Sequence, residues 1–84
     1  MSEDAVVTVR AQISGVFYRA GGPDQSPFVE PGTVVRKGET MALLESMKLF
    51  SKVKAPLGGT VVEVCAENEQ TVSVGQPLFT VQRA

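Results

Sequence analysis

Thr40-Met41-Ala42-Leu43-Leu44-Glu45-Ser46-Met47-Lys48-Leu49-Phe50 is the stretch on which the fold turns. Read at a helical period, Met41, Leu44, Met47 and Leu49 nearly share one face. Its surroundings argue for strand instead. The stretch is bracketed by glycine-punctuated segments, and its counterpart later in the chain is valine-rich with Pro77 inside it. As strands, the stretch folds back on itself. Met47 and Lys48 then become the central pair of a tight hairpin turn. Such turns favour Asn-Gly, and this pair is neither. Non-glycine residues in a costly turn suggest a functional reason to keep them. Lys48 would sit at the tip, with large apolar neighbours on both sides.

Working outward, the rest of the chain reads the same way. Fourteen valines fill short runs, and β-branched side chains suit a pleated, half-buried surface. Turn residues divide the runs at Ser14-Gly15, Gly21-Gly22-Pro23-Asp24, Pro31-Gly32, Lys37-Gly38, Gly58-Gly59 and Val74-Gly75. Many short strands at this spacing predict an all-β sandwich or flattened barrel. The chain also repeats itself. Ala11–Tyr18 followed by Val35–Glu45 matches Ala55–Val62 followed by Val72–Gln82 in its apolar and glycine positions. Neither half can bury its own apolar faces, so the two are expected to pack as a pseudo-symmetric pair of sheets. Lys48 falls in the connection between the halves, which a two-fold arrangement places opposite the chain termini. Gly15 and Gly38 are 23 positions apart and Gly59 and Gly75 are 16 apart. The seven extra residues of the first half fall within 20–27 and read as a protruding loop.

Composition narrows the function. The 84 residues make one domain. A chain of this size holds one compact core but not a deep substrate cavity as well. It has no histidine, hence not the commonest general base near neutral pH. One cysteine with no Cys/His cluster does not support a metal site. Cys65 ends the run Val61-Val62-Glu63-Val64 and is expected to be a buried small hydrophobe. The absence of an internal disulfide suggests a reducing compartment. Net charge is −1, and the local group Lys48, Lys52, Lys54 has Glu45 beside it, so no nucleic-acid partner is expected. No apolar run approaches membrane-spanning length, so no membrane partner is expected. The opening Met1-Ser2-Glu3-Asp4 does not read as a secretion signal. Residues 1–5 are expected to be a flexible N-terminus and 6–84 the folded domain.

Glu45-Ser46-Met47-Lys48-Leu49 at the midpoint of a β repeat resembles the attachment motif of biotinyl domains, usually Glu-Ala-Met-Lys-Met. The resemblance runs from about Val7 to Gln82. Phe17-Tyr18-Arg19, a loop with Pro23-Asp24, then Phe28-Val29-Glu30 resembles the "thumb" region of the carriers that serve acetyl-CoA carboxylase. Most other biotinyl domains, and lipoyl domains, lack the thumb. The resemblance implies two four-stranded antiparallel sheets with pseudo-two-fold symmetry. It implies that a biotin protein ligase joins biotin covalently to Lys48, and that Glu45, Ser46, Met47 and Leu49 serve ligase and partner recognition. It further implies a non-catalytic carrier that takes carboxylate at a biotin carboxylase and delivers it to an acyl-CoA at a carboxyltransferase, in the cytoplasm or a plastid stroma. Pro23 and Asp24 would belong to the thumb.

The sequence departs from the family pattern at Ser46, at Leu49 and in the thumb, where the usual opening threonine is Ala20, followed by Gly21-Gly22. A hydroxyl contact to biotin is therefore unavailable there, and the glycines predict a looser thumb. Two alternatives stand beside the biotin carrier. One is a lipoyl carrier of a 2-oxo acid dehydrogenase complex, which usually has Asp-Lys-Ala at this point. The other is an unmodified regulatory domain of the same fold.

Overall fold

Eight strands form where the valine-rich runs lie between turns, in a computed structural model that describes residues 5–84. They are β1 (Val6–Arg10), β2 (Gly15–Tyr18), β3 (Val34–Val35), β4 (Thr40–Ser46), β5 (Leu49–Lys54), β6 (Gly59–Val64), β7 (Gln70–Val72) and β8 (Pro77–Arg83). Residues 1–4 of the expected N-terminal segment lie outside the described residues. Among the described residues there is no α-helix, so none is long and apolar enough to cross a membrane. The stretch Thr40–Phe50 is strand, turn and strand, as its context predicts.

The strands form two antiparallel four-stranded sheets, ordered β1-β8-β6-β3 and β5-β4-β2-β7. Shifting the first half onto the second maps β1 to β5, β2 to β6, β3 to β7 and β4 to β8. It turns one sheet order into the other. The expected pseudo-symmetric pair of sheets is present, and every sheet takes two strands from each half. Short strands and isolated hairpins are marginal alone, and interleaving lets each half complete the other's hydrogen bonding. Ala11 N–H donates to Gln76 O at 2.9 Å and Gly75 N–H to Ala11 O at 2.7 Å. The symmetric pair is Ala55 N–H to Glu39 O and Gly38 N–H to Ala55 O, both 2.8 Å.

Among the described residues the core is entirely apolar. Met41, Ala42 and Leu44 of β4 and their counterparts Leu78, Phe79 and Val81 of β8 are buried between the sheets. Phe17 from one sheet meets Phe79 from the other with ring centroids 5.7 Å apart and tilted by 58°, a favourable aromatic geometry. Bulges set which residues face inward. Opposite β8, the register of β6 shifts between Val61 and Glu63, which restarts the inward–outward alternation. Val61 and Ala66 point inward, and Cys65 is exposed. Strict alternation would have buried Glu63 and Cys65; the bulge overturns the expected burial of Cys65.

Two glycines read as turn residues are instead the first residues of strands. Gly15 opens β2 and Gly59 opens β6. A Cβ on Gly15 would collide with the Glu45 carbonyl oxygen, and one on Gly59 with that of Gln82. These are symmetric positions where two backbones pass without room for a side chain. Gly59→Ala is expected to destabilise the domain by about 1–3 kcal/mol, because backbone cannot move aside cheaply. Gly22→Ala, whose Cβ would meet nothing nearer than the Gln25 side chain at 3.6 Å, is expected to stay within about 0.5 kcal/mol of wild type. Urea unfolding of the two variants checks both.

Candidate functional site

The β4–β5 hairpin is the molecule's most exposed apolar feature. Its register pairs Leu43 with Lys52, Leu44 with Ser51, Glu45 with Phe50 and Ser46 with Leu49. Only Met47 and Lys48 remain in the turn. Their φ angles are +53° and +66°, the signature of a type I′ turn. Left-handed backbone costs each non-glycine residue about 1–2 kcal/mol. The cost is borne because the twist of this turn suits the strands, and because β4 is anchored by its buried face. Met47 is 92% exposed, Leu49 73% and Phe50 60%. Lys48 is exposed between them. The arrangement holds out a primary amine, ringed by apolar groups, at the end of a rigid support. The symmetric counterpart of this tip lies where β8 ends at Arg83 and β1 begins at Val6.

The outward face of the hairpin is braced by β2. Val16 pairs with Glu45 and Tyr18 with Leu43. The Tyr18 hydroxyl donates to Glu45 Oε1 at 3.0 Å, and its ring lies 6.0 Å from that of Phe50, tilted by 52°. Glu45, expected to serve recognition, is thus half-buried and engaged by Tyr18. It ties the strand below the tip to its neighbour. The Tyr18 phenol is pushed above the ordinary tyrosine value, first by donating to Glu45, then by partial burial and by the charges of Glu45 and Glu69. Lys52 and Lys54 lie on β5, an edge strand, where charged side chains discourage pairing with other chains.

The loop 20–27 rises beside this face. Phe28 N–H donates to Arg19 O at 2.8 Å and closes its base. Arg19 also donates from its backbone N–H to Asn68 Oδ1 at 2.9 Å and from Nη2 to Val29 O at 3.2 Å. Between loop and sheet runs a groove of about 300 Å³. Residues 20–23 line one side, Tyr18, Leu43 and Phe50 come from the sheet, and Asn68 and Glu69 from the connection before β7. Pro23 therefore joins the hairpin's surroundings, whereas Asp24 is exposed and is not among the residues lining the groove. Tyr18, Phe50, Asn68 and Glu69 were not among the expected site residues. Alternation along β2 and β5 could have pointed to Tyr18 and Phe50. Nothing local links Asn68 to Arg19.

The family model for biotin-requiring enzymes, Biotin_lipoyl, matches residues 7–81. The chain is 37% identical over 81 residues to the biotin carboxyl carrier protein of acetyl-CoA carboxylase 1, chloroplastic, of Arabidopsis thaliana, covering 96% of this chain and 29% of that protein. It is 41% identical over 73 residues to the biotin carboxyl carrier protein of acetyl-CoA carboxylase of Pseudomonas aeruginosa, covering 87% and 47%. The chain thus spans less than half the length of these two relatives. A single-chain, multi-domain long-chain acyl-CoA carboxylase superposes with a TM-score of 0.82 at 24% identity, over 100% of this chain and 8% of that one. The Kluyveromyces lactis urea carboxylase does so at 0.77 and 20%, over 96% and 6%. At these identities the structural likeness is one of fold.

Absorbance titration of the single tyrosine is expected to give a midpoint above the ordinary 10.0. Glu45→Gln is expected to lower it, since a neutral acceptor no longer opposes the phenolate. The folded state holds this proton more tightly than the unfolded one. Its contribution to stability is therefore complete below the unfolded pKa and is lost as pH rises through the folded value. A wild-type midpoint at or below 10.0 contradicts the Tyr18–Glu45 bond.

Proposed function

The chain belongs to the biotin/lipoyl family of biotin-requiring enzymes, and from that premise we propose that it is a biotin carboxyl carrier with biotin joined through an amide to Lys48. The observation that carries this reading is the strained turn. Two left-handed non-glycine residues close the β4–β5 hairpin, and one of them bears an exposed primary amine. An amine so placed fits the attachment chemistry: it can be acylated from solvent, and its flanking Met47 and Leu49 give a ligase an apolar surface to hold. Methionine adapts to more than one such surface.

Once attached, biotin supplies a ring nitrogen that carries carboxylate between two active sites. The protein's own residues do the positioning. Acylation removes the Lys48 charge, so the finished arm can enter apolar clefts that would reject an ammonium. The buried face of β4 holds the tip still, which limits the conformational entropy that docking must cost. The chain contributes no histidine, and no bond-making step is assigned to it. Its partners on this reading are a biotin protein ligase, a biotin carboxylase and a carboxyltransferase acting on acetyl-CoA or a related acyl-CoA, in fatty acid synthesis. The named relatives, one chloroplastic and one bacterial, support the plastid stroma or the cytoplasm as its setting. The thumb loop works without the usual threonine hydroxyl, so Ala20–Pro23 act through backbone and shape.

Co-expression with biotin protein ligase and biotin is expected to yield a chain retained by streptavidin. Lys48→Arg is expected to lose retention while melting within about 2 °C of wild type, because the side chain is exposed. An octanoyl or lipoyl adduct in the intact mass would instead mark a lipoyl carrier. Deleting residues 21–26 is expected to leave ligation intact and to slow carboxyl transfer; equal transfer rates with and without the loop would make it a neutral insertion.

A further inference from the structure

The internal repeat exposes one residue that breaks its own pattern. Four turns share one design: Glu30–Thr33, Arg36–Glu39, Glu67–Gln70 and Ser73–Gln76. In each, the last residue's N–H donates to the first residue's C=O, at 2.9, 3.0, 3.1 and 3.0 Å. The first residue's N–H donates in turn to a side-chain oxygen of the last, from Thr33, Glu39, Gln70 and Gln76. The third position has positive φ in all four, as a type II turn requires. Glycine fills it three times, as Gly32, Gly38 and Gly75, with φ of +96°, +88° and +88°. The fourth time it is Glu69, at +69°.

Glu69 is the symmetric partner of Gly32. Both donate their N–H across the halves, Gly32 to Val61 O at 2.8 Å and Glu69 to Phe17 O at 2.6 Å. The backbone job is thus the same, and glycine does it without strain. A side chain kept in a left-handed position at a recurring cost points to work done by the side chain. Glu69 lines the groove between thumb and sheet. Its charge is the last of the causes that push the Tyr18 phenol up, after the Glu45 hydrogen bond, burial and the Glu45 charge. Phe50, two positions beyond Lys48, lines the same groove. The groove is thus lined by two aromatic residues, Tyr18 and Phe50, by Leu43, and by Glu69, an exposed residue that carries an acceptor.

We propose that Glu69 is a positioning residue for the arm carried by Lys48: its carboxylate accepts a ring N–H of the tethered biotin and holds the ring against Tyr18 and Phe50. The inference rests on Lys48 being the biotin attachment site. A cyclic urea offers N–H donors and a flat apolar edge, and this groove offers an acceptor and aromatic faces. A hydrogen bond to an ionised acceptor is stronger than one to a neutral group. In this chain the acceptor compensates for a thumb that opens with Ala20 rather than a hydroxyl residue.

The test compares amide and tyrosine-ring NMR signals of the whole chain before and after biotinylation, together with melting temperature. In the wild type, biotinylation is expected to shift Tyr18, Gly21, Gly22 and Phe50. Glu69→Gly is expected to melt about 4 °C higher, by releasing strain, while those shifts fall at least about threefold. Glu69→Gln retains an acceptor and is expected to restore part of them. A purely structural glutamate would not move stability and arm contact in opposite directions. Undiminished shifts in Glu69→Gly, or a lower melting temperature, overturn the proposal. A wild-type chain with no biotin on Lys48 overturns the attachment reading and this one with it.

Discussion

Two backbone crossings without side chains hold the structure in register. Gly15 lies against the Glu45 carbonyl and Gly59 against that of Gln82, so β2 is locked to β4 and β6 to β8 at symmetric points. A slip of one residue in either pair would turn the buried faces of β4 or β8 to solvent. It would also force a side chain into a space that admits none. The Gly15 crossing sits at the residue just before Ser46, the last residue of β4. It fixes where the strand ends and hence where the turn of Met47 and Lys48 projects. The Tyr18–Glu45 bond then secures the outer face at the same level.

Strain in this molecule is placed rather than scattered. The three non-glycine residues with positive φ are Met47, Lys48 and Glu69, among the described residues. Two form the tip and the third lines the groove beside it. Elsewhere the same backbone geometry is given to glycine. A small domain has only a few kcal/mol of stability in hand, so three such residues around one surface are a substantial commitment. The interleaved sheets support it, since every strand of one half is bonded to the other half or to a strand that is.

Much of this was legible in the sequence because it is local or periodic. The strand assignment for Thr40–Phe50, the central pair of its turn and the loop at 20–27 all follow from spacing and turn chemistry. The motif around Lys48 was legible as a resemblance. What was not legible depends on contacts between distant segments. The two halves exchange strands, which the repeat alone does not reveal. The bulge at Val61–Glu63 is invisible in a valine-rich run, and it exposes Cys65. Gly15 and Gly59 look like turn residues until a neighbouring backbone is seen beside them. Asn68 and Glu69 reach the site only through folding, though aligning Glu69 with Gly32 by the repeat would have marked it as odd.

The central claim is that this fold singles out one amine. The chain has four lysines, Lys37, Lys48, Lys52 and Lys54. Two of them are on β5, the strand that leaves the tip. Peptide mapping of the chain after co-expression with biotin protein ligase tests the claim most directly. The account predicts a single biotin, on Lys48. Biotin on Lys52 or Lys54 at comparable occupancy, or on none of the four, would contradict it.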